Sequence, residues 1–122
     1  MCSSDLGSII NITSRAGSQP SPRIAHYSAA KAGLDALTAT LAVEWGHLNI
    51  RVNAIAPTTV MTESRQQLLS DPDKRAAALA RIPSGRFATA EEIAAAVVYL
   101  ASSGAASVTG HTLPVDGGLT AY

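Results

Sequence analysis

The sequence predicts an α/β domain with about three parallel strands covered by helices, and two observations support this class. Short β-branched runs alternate with longer helical patterns in the order strand, helix, strand, helices, strand, which is typical of parallel strands joined by helical crossovers. Hydrophobic residues make up 47% of the 122 residues but aromatics only 4%. The length suffices for one domain with a real core, and that core must be built from Ala, Val, Leu and Ile.

The first strand and the longest helix are predicted in the first third of the chain. An apolar, β-branched run over residues 8–13 indicates a buried strand. The glycine and prolines that follow indicate a loop over 14–22. A helical pattern then extends from about 26 to 46, where Gly46 is expected to stop the helix. Its apolar stripe is expected to be core or subunit interface and consists of Leu34, Leu37 and Leu41.

A second strand and two shorter helices follow. Residues 50–56 are predicted to form a strand closed by Pro57. Residues 63–69 are expected to form one short helix. A second begins at the Asp71-Pro72 pair, where the aspartate caps the helix and proline takes its first position. This second helix is expected to end at about residue 82.

The last helix and strand have clear boundary signals. Thr89 and Glu92 have the spacing of a capping box, in which each side chain satisfies a free backbone N–H. The helix that they begin is expected to reach about residue 102. Residues 112–115 are predicted to form the last strand, and Pro114 places it at a sheet edge because proline donates no ladder hydrogen bond.

Polar side chains follow the predicted strands where ligands usually bind. In an open parallel sheet, ligands lie outside the carboxyl ends of the strands. Ser14 directly follows the first strand, residues 57–62 follow the second, and Tyr27 and Lys31 open the helix between them. We therefore expect these groups to meet at one end of the sheet.

The residue types in this group suit proton transfer to or from a substrate oxygen. Tyr27 and Lys31 are four residues apart and share one helix face, and a nearby ammonium favours the tyrosinate form of a tyrosine. Ser14 can hydrogen-bond the substrate oxygen. No side chain carries a hydride, so alcohol oxidation or carbonyl reduction would need a cofactor.

The sequence resembles the short-chain dehydrogenase/reductase family from Gly7 to about Gly118. The Tyr-x-x-x-Lys spacing alone is a weak signal, but several blocks occur in the family's order. They are G-S-I-I-N-I-T-S (7–14), Tyr27-x-x-x-Lys31, I-R-V-N-A-I-A-P (50–57), G-R-F-A-T-A-E-E-I-A (85–94), Y-L-A-S (99–102) and T-G-H-T-L-P-V-D-G-G (109–118).

The resemblance implies roles for individual residues. Ser14 would orient the substrate, and Tyr27 would be the general acid/base. Lys31 would bind the nicotinamide ribose of NAD or NADP beside Tyr27. The loop after the second strand would hold the nicotinamide carboxamide, through Pro57, Thr58, Val60 and Thr62.

The sequence departs from the family pattern in two ways. Thr58 stands where the family usually has glycine. The family's glycine-rich phosphate turn and its N-N-A-G block are not found. We therefore expect the C-terminal half of a Rossmann-like, doubly wound sheet with the N-terminal half absent. Residues 1–6 are expected to be a non-native leader and residues 7–122 a partial domain.

The resemblance implies an NAD(P)-dependent oxidoreductase fragment that interconverts a secondary alcohol and a ketone by hydride transfer. The segment from Ala56 to Gly118 resembles the sugar and polyol reductases, and 3-oxoacyl reductases share much of the rest. The alternative is a catalytically inactive, truncated chain that acts only as an oligomerisation module. Little or no dehydrogenase activity is expected of the isolated chain.

The composition limits the binding partners and the cellular compartment that are expected for this protein. Lys plus Arg equals Asp plus Glu at nine each, so nucleic acid is not expected. The lone Cys2 excludes an intramolecular disulfide, and no signal peptide or membrane-spanning run is found, so a cytoplasmic protein is the default. The three histidines are scattered, so no metal site is expected. A small carbonyl or alcohol substrate and a homo-oligomer, dimer or tetramer, are the expected partners.

Overall fold

A three-stranded parallel sheet forms the centre of the computed structural model, which describes residues 7–19 and 21–121. Its order is β1 (Gly7–Ile12), β2 (Ile50–Pro57) and β3 (Thr112–Val115), with Gly7 opposite Ile50 and Ala54 opposite Thr112. The predicted α/β class and parallel sheet are confirmed. The expected leader, residues 1–6, lies outside the described residues, and the boundary at residue 7 stays a prediction.

Four α-helices connect these strands within the described part of the chain. They are α1 (Ala25–Trp45), α2 (Glu63–Leu68), α3 (Pro72–Ala80) and α4 (Ala90–Ala101). Three short 3₁₀ turns supplement them, at Arg15–Gly17, Gly46–Leu48 and Ser103–Ala105. The predicted order of elements is therefore confirmed, with boundaries displaced by one or two residues.

Helices α1 and α4 cover opposite faces of the sheet. The Asn11 side chain donates to Thr38 Oγ1 of α1 at 3.0 Å, whereas the Ser8 hydroxyl donates to the Leu100 carbonyl of α4 at 3.2 Å. Side chains of residues 8 and 11 point to opposite faces of β1 because successive strand residues alternate. Each helix is thus anchored to the sheet by a polar contact as well as by packing.

The central strand β2 is the core of the molecule. Val52, Ala54 and Ile55 are fully buried, which confirms a core of small and branched aliphatic side chains. Asn53 is also fully buried. Its amide donates to the Val108 carbonyl at 2.8 Å and accepts the His111 N–H at 3.1 Å. This side chain therefore ties β2 to the segment that leads into β3.

The face that α1 buries differs from its leucine stripe. Thr38 and Ala42 are the buried residues of this helix, whereas Leu37 is 48% exposed. Leu34 and Leu41 are only half-buried. The small side chains bring the helix backbone close to the sheet, and Thr38 satisfies its hydroxyl with the Leu34 carbonyl. The expectation that the leucines form core is therefore largely wrong, and a subunit interface stays a prediction.

Helix α1 ends at Trp45 with Gly46 as its C-cap, which confirms the expected stop, whereas the end of α3 differs from the expectation. Gly46 keeps right-handed helical geometry with φ of −57°, and Asn49 takes the left-handed conformation with φ of 60°. A turn of 3₁₀ helix therefore separates α1 from the residue that reverses the chain. Helix α3 ends at Ala80 rather than residue 82, because proline at 83 disfavours helical geometry at Ile82.

The predicted boundary signals of the last third are confirmed. Thr89 Oγ1 accepts the Glu92 N–H at 3.1 Å, and the Glu92 carboxylate accepts the Thr89 N–H at 3.0 Å. Arg86 adds an ion pair to Glu92 at 2.6 Å. Among the described strands, β3 with its Pro114 lies at an edge of the sheet.

Candidate active site

Ser14 lies two residues beyond the end of β1, in the predicted loop over residues 14–22. A 3₁₀ turn forms within this loop over Arg15–Gly17, and Ser14 caps it by accepting the Ala16 N–H at 3.1 Å. A hydroxyl donates one hydrogen and accepts on its lone pairs. Because the cap uses an acceptor site, the Ser14 hydrogen stays available to a ligand.

Gly17 lets this turn lie against α1. A Cβ at this position would lie 2.7 Å from the Asp35 carboxylate and 3.0 Å from backbone atoms of Lys31 and Ala32. A side chain there would therefore push the turn, and Ser14 with it, away from the helix. The sequence indicated only that Gly17 breaks regular structure.

Tyr27 and Lys31 lie one turn apart on α1, as their spacing predicts. The Lys31 ammonium is 5.7 Å from the centre of the Tyr27 ring. It also donates to the Ile12 carbonyl at 3.0 Å. Lys31 thus joins the start of α1 to the carboxyl end of β1, and one of its three N–H donors is used in doing so.

Ser14 and Tyr27 both line one cleft of about 270 Å³. Its walls come from the turn after β1, the start of α1, the loop after β2 and helix α2. The lining residues are Ser14, Arg15, Ala16, Ile24, Tyr27, Thr58, Thr59 and Arg65. Tyr27 is 43% exposed, so its hydroxyl is reachable by a ligand in this cleft.

The other residues expected to bind a cofactor lie outside the lining of this cleft. Pro57 ends β2. Val60 forms a parallel bridge with Ala88, and its carbonyl accepts the Thr62 N–H at 2.9 Å. The Thr62 hydroxyl caps α2 by accepting the Arg65 N–H at 3.3 Å. These contacts fix the course of the loop after β2.

Thr58, which replaces the family's usual glycine, fits the loop without backbone strain. Arg23 and Asn49 are the described non-glycine residues with positive φ, so Thr58 has an ordinary backbone. Thr58 lines the cleft beside Thr59. The departure therefore places a hydroxyl-bearing residue in the cleft lining.

The donors of this site fit one end of a nicotinamide cofactor. Lys31 has further N–H donors for a ribose hydroxyl, and threonine hydroxyls lie in the cleft beside Ser14. No cluster of three metal-ligating side chains occurs among the described residues. Within the same part of the chain, no helix combines the length and hydrophobicity needed to cross a bilayer.

The two charged residues that line the cleft were missed by sequence reasoning. Arg15 directly follows Ser14, and this adjacency was the one signal that could have identified it. Arg65 reaches the cleft from α2, and no local pattern marks it.

The parallel sheet, with its site at the carboxyl ends of two strands, defines a Rossmann-like α/β class of protein. A family model described as enoyl-(acyl carrier protein) reductase matches residues 1–120. The chain therefore belongs to the short-chain dehydrogenase/reductase family, as its motifs predict.

Three relatives illustrate the similarity. L-xylulose reductase of Caenorhabditis elegans is 48% identical over 93% of this chain and 45% of its own length. 3beta-hydroxysteroid dehydrogenase 1 of Eggerthella lenta is 47% identical over 95% of this chain and 44% of its own. A crystal structure of gluconate 5-dehydrogenase from Burkholderia cenocepacia J2315, in complex with NADP and tartrate, is 35% identical with a TM-score of 0.91. It covers 98% of this chain and 47% of that one.

The chain spans about half the length of the relatives that it matches. The expected likeness to sugar and polyol reductases is confirmed by the xylulose and gluconate enzymes.

Proposed function

We propose that this chain carries the proton-transfer and substrate site of an NAD(P)-dependent oxidoreductase that interconverts a secondary alcohol and a ketone. The observation that carries the proposal is the shared cleft, in which the Ser14 and Tyr27 side chains both lie. The Lys31 ammonium beside the Tyr27 ring adds the charge that such a site needs. Family membership supports the same chemistry.

We propose that the substrate is a small sugar or polyol. Four of the lining side chains carry hydroxyls, namely Ser14, Tyr27, Thr58 and Thr59, and hydroxyls are suitable partners for a polyhydroxylated ligand. The xylulose and gluconate relatives support this class. A 3-oxoacyl substrate is the second candidate, supported by the description of the family model.

The roles of the three residues follow from their hydrogen-bonding states. In the direction of reduction, the Ser14 O–H donates to the substrate carbonyl oxygen, because a carbonyl oxygen only accepts and the bond from the Ala16 N–H leaves the Ser14 hydrogen free. The Tyr27 O–H gives its proton to the same oxygen as the alcohol forms. The Lys31 ammonium stabilises the negative charge that develops on the phenol oxygen.

The cofactor-binding roles are assigned to residues around the cleft. NAD or NADP supplies the hydride when it is bound. Lys31 and Tyr27 would hold its nicotinamide ribose. Thr58, which lines the cleft, would contact the nicotinamide ring. Pro57, Val60 and Thr62 would shape the loop around the carboxamide. The Val60 carbonyl and the Thr62 hydroxyl can each accept one more hydrogen bond, because carbonyl and hydroxyl oxygens each accept two.

A hybrid enzyme tests the proposal. Residues 7–122 are joined to the part of the C. elegans L-xylulose reductase that lies outside the matched segment. Reduction of L-xylulose and related ketones is then followed by the loss of NADPH or NADH absorbance. The hybrid is expected to turn over, and Tyr27→Phe is expected to lower kcat by about 10²–10⁴, the usual contribution of a general acid.

Tyr99→Phe is the matched control. It removes the same hydroxyl from a tyrosine of α4 that is 49% exposed, compared with 43% for Tyr27, and it is expected to leave kcat unchanged. A folded hybrid that binds NADPH but works equally well with and without the Tyr27 hydroxyl contradicts the proposal.

We also propose that the protein assembles as a homo-oligomer. Leu37 and Val43 of α1 are 48% and 85% exposed, and Val98 and Tyr99 of α4 are 68% and 49% exposed. Large apolar side chains exposed on two helices favour contact with another copy of the chain. Light scattering after size-exclusion chromatography tests this, because a monomer at all concentrations contradicts it. Cytoplasmic residence is proposed with it, in keeping with the single cysteine.

A further inference from the structure

The cleft that contains Ser14 and Tyr27 has a strongly positive wall. Arg15 and Arg65 line it from opposite elements, the turn after β1 and helix α2, and none of its described lining residues is acidic. A third arginine, Arg81, lines an adjoining cavity together with Arg15, Thr58 and Thr59. Guanidinium groups stay protonated at all physiological pH values, so this wall carries fixed positive charge.

These charges are not neutralised within the protein, as far as residues 7–19 and 21–121 show. The ion pair found there joins Arg86 to Glu92, far along the chain from the cleft. The Arg65 guanidinium makes no hydrogen bond to a described residue, and only its backbone is engaged, the N–H with Thr62 Oγ1 and the carbonyl with the Leu69 N–H. Asp35 lines a neighbouring cavity beside Arg15, but its carboxylate accepts the Thr112 hydroxyl.

Arg15 is held in place rather than extended into solvent. Its Nη1 donates to Ser21 Oγ at 2.9 Å and to the Gln19 carbonyl at 3.5 Å. Burial lowers the pKa of the Arg15 guanidinium, and the positive charge of Arg81 lowers it further. A partly buried cation next to a like charge is stabilised by any anion that enters the cleft.

We propose that the substrate of this cleft is a hydroxy or keto acid of the sugar series, whose carboxylate is bound by Arg65 and Arg15. The inference rests on the proposed function and sharpens its substrate class from a small sugar or polyol to a polyhydroxy carboxylate. Guanidinium groups pair with carboxylates through parallel, charge-assisted hydrogen bonds. The cleft hydroxyls bind the rest of the molecule, with the reacting carbon between Ser14 and Tyr27.

The cleft size agrees with such a ligand. Its volume of about 270 Å³ lies near the lower limit of ordinary ligand pockets. A carboxylate at the arginine wall and a hydroxyl at Ser14 also fix the direction in which the substrate lies. This orientation selects which secondary alcohol of the chain is presented to Tyr27.

Binding to the whole 122-residue chain tests the inference without requiring turnover. D-gluconate and xylitol are compared by NMR titration, since they are similar in size and hydroxylation but differ in the carboxylate. We expect gluconate to bind at least about tenfold more tightly than xylitol, the least that one charge-assisted hydrogen bond provides. Arg65→Gln is expected to remove most of this preference, and Arg65→Lys to restore part of it.

Lys74→Gln is the matched charge control. Lys74 is an exposed residue of α3 outside the described lining of the cleft, and its loss changes net charge by the same amount. Because Arg65 is also exposed, its substitution leaves the fold intact, which circular dichroism checks. Arg15→Lys is the second variant. Lysine is used there rather than glutamine because Arg15 also hydrogen-bonds its own loop.

The outcomes separate this inference from the proposed function. Equal binding of xylitol and gluconate, no binding of gluconate, or an equal effect of Lys74→Gln overturns the carboxylate assignment. Displacement of gluconate by a lower concentration of inorganic phosphate also overturns it, in favour of a phosphate site. If Tyr27→Phe does not lower the kcat of the hybrid enzyme but gluconate binding still depends on Arg65, the proposed reaction is rejected and the anion site is kept.

Discussion

The buried Asn53 side chain is expected to contribute strongly to the stability of the sheet, and Asn53→Leu is the sharpest perturbation of it. Leucine has nearly the same shape but no hydrogen-bonding groups. Two hydrogen bonds are lost, from the amide to the Val108 carbonyl and from the His111 N–H to the amide oxygen.

The two losses are similar in size. The Val108 carbonyl keeps a second partner, since Arg51 Nη1 donates to it at 3.1 Å, so this loss is about 0.5–1.5 kcal/mol. The His111 N–H loses its partner, but His111 is an exposed residue, so this loss is also about 0.5–1.5 kcal/mol. The free energy of unfolding should therefore fall by about 1–3 kcal/mol, a substantial part of the ~5–15 kcal/mol typical of a domain.

Urea unfolding followed by far-ultraviolet circular dichroism measures this change. With a denaturant slope of about 2 kcal/mol per molar urea, the midpoint should fall by about 0.5–1.5 M. Thr40→Val is the control, because the Thr40 hydroxyl is exposed and bonds only to its own helix at the Ala36 carbonyl. If the two variants have the same midpoint, the assignment of Asn53 as the link between β2 and β3 is refuted.

Two further predictions concern the last helix and the turn at the cleft. Arg86 lowers the pKa of Glu92 by hydrogen bonding, so the stability that Glu92 contributes is present above its unfolded pKa of about 4.5 and is lost as pH falls through its lower folded value. The Glu92→Gln variant should therefore be less stable than the parent chain at neutral pH and lose less stability on acidification. Thermal unfolding at several pH values measures this, with Glu91→Gln as the control. Gly17→Ala should displace the Ser14 turn, because its Cβ would meet the Asp35 carboxylate at 2.7 Å. The hybrid enzyme should lose turnover while its helix content stays constant, and full activity of this variant would contradict the packing argument.

Local signals predicted the elements of the fold well. The capping box at Thr89 and Glu92 and the edge position of Pro114 depend on neighbouring residues and backbone chemistry, and both are confirmed. The end of α1 at Gly46 was predicted, but the chain reversal that follows it was not. Gly46 and Asn49 both tolerate left-handed geometry, and the choice of Asn49 depends on a 3₁₀ turn that no sequence period marks.

Packing was predicted less well than element order. The α1 leucines suggested a buried stripe, but the sheet is contacted by Thr38 and Ala42. Helical periodicity shows which residues share a face, whereas the distance between helix and sheet decides which face fits. Small side chains and the Asn11 to Thr38 hydrogen bond decide that distance here.

The sequence by itself determined the α/β class, the order of strands and helices, the family, and the spacing of Tyr27 and Lys31. These depend on interactions between residues a few positions apart, so a linear pattern contains them. The tertiary structure alone decided that Gly17 seats its turn on α1 and that Arg65 joins Arg15 at the cleft. Those features arise where chain segments distant in sequence meet, and their charges and clearances exist only after the sheet has brought them together.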